Sequence, residues 1–219
     1  MSGSTYASAL GLAASVVLLA AVVILWRRSL HAIVRALAVQ GVALAAVAAV
    51  LGFHHHDVGL LVVALLVLTA KAVVIPLLLL RVVHVDPASR ETQPLVNVPA
   101  SLVAAGVLTF LAFAASRSVT ALVPNSAGRL IPIGLAALLV GFFALVTRRK
   151  AVSQIVGVLL VDNGVALVAF LATAGVPLLV ELGASLDVLL AVIVLQVLAI
   201  QLRSRLGSFD LDQLTELRD

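Results

Sequence analysis

Apolar runs of roughly 20 residues recur along the whole of this 219-residue chain, each long enough to cross a hydrocarbon core of about 30 Å as a helix. Once such a run leaves water, every backbone N–H and C=O in it must be satisfied within the protein. Helices and closed barrels are the spanning structures that achieve this. The apolar/polar alternation of a barrel strand is absent, so the runs read as helices. Composition agrees, since 63% of residues are hydrophobic and 11% charged, too little polar surface to coat a soluble core. Mean hydropathy is +1.25. The isoelectric point near 10.7 would suggest nucleic acid in a soluble protein. Here the basic residues lie between apolar runs and report topology instead, so the expected surroundings are a lipid bilayer and no nucleic acid.

Seven spans are expected, at 6–26, 30–52, 58–80, 98–116, 127–147, 151–173 and 177–202. The first is not read as a cleaved signal peptide, because its positive charges, Arg27 and Arg28, follow the apolar run where a signal peptide carries them in front. That order places the N-terminus outside. Arg27, Arg28, Arg81, Arg90, Arg148, Arg149, Lys150, Arg203, Arg205 and Arg218 then fall on the cytoplasmic side, against only Arg117 and Arg129 outside. Ten against two satisfies the positive-inside rule and puts the C-terminus in the cytoplasm. Arg35 and Lys71 lie within spans.

The fold class is therefore all-α, a polytopic transmembrane bundle of about seven helices. A repeat organises it: "QGVALAAVAAVLG" (40–52) aligns without gaps with "NGVALVAFLATAG" (163–175). Each follows a basic inner loop and precedes a span that carries an ionisable residue. The expected units are 1–83, a first set of three helices; 84–126, a cytoplasmic loop and spacer helix; 127–205, a second set of three; and 206–219, a cytoplasmic tail. An odd spacer gives both copies the same orientation, so the repeat is parallel.

The absence of cysteine excludes disulfides, thiolate zinc sites and iron–sulfur clusters. All five histidines lie near the ends of runs, so no pair stands mid-membrane to hold a haem. "HHHD" (54–57) lacks the i, i+4 spacing that would place two ligands on one helix face. No metal and no cofactor are expected, and no active site.

Charges inside the spans carry the chemistry. Asp162 lies about 12 residues into its span, near mid-bilayer at ~1.5 Å of rise per residue. An ionised side chain there costs roughly 2.5–3.5 kcal/mol on insertion scales. Asp162 reads either as a proton-handling group or as a hydrogen-bonded residue that holds helices together with Asn163. Asp187 lies about ten residues into the seventh span, at a depth that an antiparallel neighbour shares with Asp162. Glu181, six positions earlier, points about 120° away and reads as a candidate on the proton path or as a residue near the outer surface. Lys71 is the most telling. It stands mid-span in "LLVLTAKAVVIPLLLL", five residues before Pro76, which lacks a backbone donor and frees the carbonyl of Ala72. Arg35 is shallower and able to reach the inner headgroups. Gln40, matching Asn163 in the repeat, is a supporting polar residue with Arg35 and Asn163.

"SQIVGVLLVDNGVALVAF" leading to "GVPLLVELGASLDVLLAVIVLQVL", preceded by "TAKAVVIPLLLLRV", resembles hydrogenase-4 component E over nearly the entire chain. The second half is similar to the K subunit of bacterial complex I and the C subunit of multisubunit sodium/proton antiporters. In that broader group a carboxylate in the middle helix belongs to a proton path. A gapless match puts Leu159 where the K subunits have glutamate; the resemblance implies that the acidic role has moved one turn, to Asp162. Gln40 and Lys71 stand where the first copy would have carboxylates.

The resemblance implies a multi-pass, non-catalytic subunit in the bacterial plasma membrane. The complex would be an oxidoreductase of the hydrogenase-4 or formate-hydrogenlyase type, translocating protons or sodium. Its expected partners are large antiporter-like membrane subunits, a quinone-site-like membrane anchor and a hydrophilic redox arm. Two alternatives stand beside it. A stand-alone secondary transporter would show helices broken by Gly or Pro at matching places in both halves, and Pro76 is the one mid-span break. A passive scaffold would have no use for Lys71, Asp162 and Asp187.

Overall fold

The computed structural model describes residues 3–85, 95–148, 151–173 and 200. The expected seventh span (residue 200 excepted), Glu181, Asp187 and the tail at 206–219 lie outside the described residues. Among the described residues six helices are long and apolar enough to cross a membrane, and the protein is a polytopic helical membrane bundle.

Helix α1 spans Gly3–Trp26 and α2 Leu30–His55. Ser29 caps α2 by accepting the Ala32 N–H, and His56 ends it in the left-handed region at φ 54°. The next residue, Asp57, caps α3 (Val58–Val67) by accepting the N–H groups of Gly59 and Leu60. The chain therefore reverses in two residues, with the helix-end donors satisfied by a short carboxylate. A π-helical segment, Leu68–Val74, continues α3 into α4 (Ile75–Val85). Asn97 caps α5 (Val98–Ala115) in the same way. Then come a short α6 (Arg117–Leu122), a 3-10 turn at Gly128–Leu130, α7 (Ile131–Thr147) and α8 (Ala151–Ala172).

Helices α7 and α8 pack along a stripe of glycines. A Cβ at Gly134 would stand 2.8 Å from the Val168 side chain, at Gly141 2.7 Å from the Val161 nitrogen, at Gly157 2.6 Å from the Leu145 Cα and at Gly164 2.5 Å from the Leu138 Cα. In lipid, where apolar side chains gain little by leaving one surface for another, such backbone approach is a main source of helix association.

The apolar core is two clusters, not one. The first gathers Leu25, Leu30, Ile33, Leu79, Ala144, Val156 and Leu160 near the α1–α2 turn. The second gathers Tyr6, Leu10, Leu51, Leu60, Ile131 and Leu171 near the α2–α3 turn. Every helix that serves both clusters passes through the seam between them, and what fills that seam is polar.

Candidate functional site

Four helices bring polar groups to the seam. On α2, Gln40 lies between Leu37 of one cluster and Ala43 of the other; on the third span, Lys71 lies between Ile75 and Val67; on α8, Asp162 and Asn163 lie between Leu160 and Leu167. On α1 the group is the backbone carbonyl of Val17. Gln40 is 0% exposed, Asn163 2% and Lys71 4%, and the Asp162 side chain is 13% exposed.

The Lys71 Nζ donates to Asp162 Oδ2 at 2.5 Å and to Asn163 Oδ1 at 2.9 Å. Asn163 Nδ2 donates to Gln40 Oε1 at 2.8 Å, and Gln40 Nε2 donates to the Val17 carbonyl at 3.1 Å. The chain of bonds has one direction. An ammonium has donors and no acceptor, so it turns the Asn163 oxygen toward itself and its amide nitrogen outward. Gln40 must then present its oxygen to Asn163 and its nitrogen to α1. The only buried side-chain polar atom without a partner among the described residues is Ser153 Oγ, outside this network. A lone charge at this depth would be costly. A carboxylate and an ammonium in contact compensate one another, provided that their other polar atoms are also bonded.

Local structure explains how the lysine reaches the site. In an unbroken α-helix the ring of Pro76 would clash with the Ala72 carbonyl four residues back. The sequence predicts a break there. The structure instead inserts one extra residue per turn, so that the Ile75 N–H bonds to the carbonyl of Ala70, five residues back. The helix widens without stopping, and Lys71 sits in the widened turn. Segments of this kind recur at functional sites in helices. Gly41 lets α2 lie directly against that turn, since a Cβ there would stand 2.7 Å from the Lys71 carbonyl carbon.

The expected residues therefore divide. Lys71, Asp162, Asn163 and Gln40 converge. Arg35 does not join them: it is exposed on α2, five residues and about 140° around the helix from Gln40. Leu159 is buried in the first apolar cluster. Sequence alone pairs Asp162 with Asp187, which lies outside the described residues; among the described residues the ion-pair partner is Lys71. From sequence Arg148 reads as a loop cation, and its role in packing is missed. It is 6% exposed, and its Nη2 donates to the Ile24 carbonyl at 2.9 Å and more loosely to those of Leu25 and Arg27. These are orphan acceptors at the end of α1. Burial pushes the guanidinium below its ordinary pKa. The one signal for this contact is the position of Arg148 at a helix end, where cations are favoured.

No family model and no solved structure matches the chain. The chain is similar to "Uncharacterized protein Rv0085" of Mycobacterium tuberculosis, 48% identical over 220 residues that cover 100% of both chains. Over 88 residues it is 35% identical to "Hydrogenase-4 component E" of Escherichia coli K12, an alignment that spans 40% of this chain and 41% of that protein. The same figures hold for the protein of that name from Shigella flexneri. With full coverage of both chains at 48% identity, the chain belongs to the family of the mycobacterial protein Rv0085.

Proposed function

We propose that this chain is a non-catalytic subunit of a hydrogenase-like membrane complex in the bacterial plasma membrane, and that it carries protons through the Lys71–Asp162 site. The partial similarity to hydrogenase-4 component E supports the first part. On that reading its neighbours are antiporter-like membrane subunits, a membrane anchor and a hydrophilic redox arm. The observation that carries the second part is the buried ion pair at mid-span.

A proton moving from Nζ to Oδ2 converts ammonium and carboxylate into amine and acid with no change in net charge. Both forms are then accessible in a low-dielectric seam that would not tolerate either charge alone. Asn163 and Gln40 hold the amine in line with its acceptor. A site for sodium would need oxygens free to surround the ion; Asp162 Oδ2 and Asn163 Oδ1 already accept from the lysine, which favours the proton. Gln40 and Asn163 hold matching places in the repeat, and their contact supports a duplicated three-helix unit whose copies meet at this point.

Asp162→Asn alone would strand an ammonium, so the decisive variant is the double one, K71Q/D162N, made in the native complex. On the relay reading the complex assembles and its redox partner turns over, while coupled proton translocation is lost. Normal translocation by that assembled double variant would leave the network with only the role of holding helices together.

A further inference from the structure

Arg117 and Arg129, the two cations that break the positive-inside asymmetry, line one groove of about 370 Å³. They are separated by the whole α5–α7 connection, and two local devices bring them together. Ser116 closes α5 with its N–H on the Ala112 carbonyl, and its own carbonyl accepts the Thr120 hydroxyl. That fixes Arg117 at the elbow between α5 and α6. Asn125 Oδ1 accepts the Gly128 N–H at 2.7 Å. A Cβ at residue 128 would stand 2.1 Å from the Val123 carbonyl oxygen, so glycine is required for the tight turn that presents Arg129.

Both arginines are exposed, and neither guanidinium has a hydrogen-bond or ion-pair partner among the described residues. The sequence holds no acidic residue between Glu91 and Asp162. The groove also includes the hydroxyl-bearing Ser116 and Thr120 and, along α5, Phe113 and Phe110. On α5, positions 110 and 113 are three apart and share one helix face, and from the elbow at Ser116 back to Phe110 the helix descends about 9 Å toward the bilayer centre. Phe110 is 73% exposed, and α5 is the least buried of the six spans.

Two cations at the membrane surface above an apolar wall match a molecule with an anionic head and a hydrocarbon body. We infer that this groove binds an anionic phospholipid of the outer leaflet, its phosphate between Arg117 and Arg129 and its acyl chain along Phe113 and Phe110. Guanidinium is suited to phosphate oxygens by its planar fork, and the aromatic wall separates a lipid from a free phosphate ion as the occupant.

The test uses the full-length chain in mild detergent, titrated with fluorescent phosphatidylglycerol against phosphatidylcholine and against inorganic phosphate. Phosphatidylglycerol is expected to bind at least about tenfold more tightly than phosphatidylcholine. R117Q and R129Q should each cost roughly fivefold, while R117K/R129K keeps most of the preference and so reports on charge in a folded chain. Equal affinity for the two lipids in the unmodified protein would overturn the inference. So would displacement of the lipid by inorganic phosphate at equal concentration, or crosslinking of position 117 in the native complex to a partner subunit's acidic segment in place of lipid.

Discussion

Asn163 and Gln40 hydrogen-bond side chain to side chain across 123 residues of chain, and they are the residues that the repeat alignment places opposite one another. If the two stretches are copies of one unit, as proposed above, a contact between matching positions would lie on the two-fold axis that relates them. The bond joins α2 to α8, and through Lys71 it ties both to the π segment.

This bond should be measurable. Gln40→Leu or Asn163→Leu leaves a buried amide without its partner and should cost about 1–3 kcal/mol. Gln40→Leu with Asn163→Leu should cost less than the sum, with a coupling of roughly 0.6–1.7 kcal/mol, between the average and the maximum for hydrogen bonds between membrane helices. A double-mutant cycle on unfolding in mild detergent gives the number; strict additivity would contradict the bond.

The ion pair predicts a larger imbalance. Lys71→Gln or Asp162→Asn alone leaves an uncompensated buried charge and should lower stability by about 3–5 kcal/mol. The double variant K71Q/D162N should recover most of that loss. The check is thermal unfolding of all four proteins under one condition, and a double variant no better than the singles would count against a paired site.

Gly41→Ala should be destabilising by about 1–3 kcal/mol, because the added methyl meets backbone and not a side-chain end that can turn away. Gly106→Ala is the control: apart from its own stretch of helix, nothing among the described residues lies within 4 Å of the place its methyl would take, and alanine is the better helix former by about 1 kcal/mol. Similar behaviour of the two variants would contradict the close approach of α2 to the π segment.

Orientation is checked by thiol labelling. The chain has no cysteine of its own, so Ser89→Cys and Ser126→Cys report without background. An impermeant reagent added outside should label position 126 and spare position 89; the reverse would invert the topology.

The spans were legible because hydropathy and length decide them, and the ends of the described helices differ from the expected ones by a few residues at most. The charges of the site were legible one by one, since Lys71 and Asp162 interrupt apolar runs. Their pairing was not. It depends on the rotation of the third span, which the π segment sets, and a seven-residue change of helix type leaves little trace in composition beyond Pro76 and Gly41. Arg148 was hidden for a related reason: a cation after a span looks the same in sequence whether it faces water or reaches the end of another helix.

That reach has a consequence for the making of the protein. The Ile24 and Leu25 carbonyls take their hydrogen bonds from a residue more than 120 positions downstream. During synthesis α1 therefore enters the bilayer with that end open, relying on water and headgroups, until α7 has followed it. Helix α1, inserted before α7, is finished only after it, and a chain truncated before Arg148 would expose an unclosed end for quality-control proteases to find.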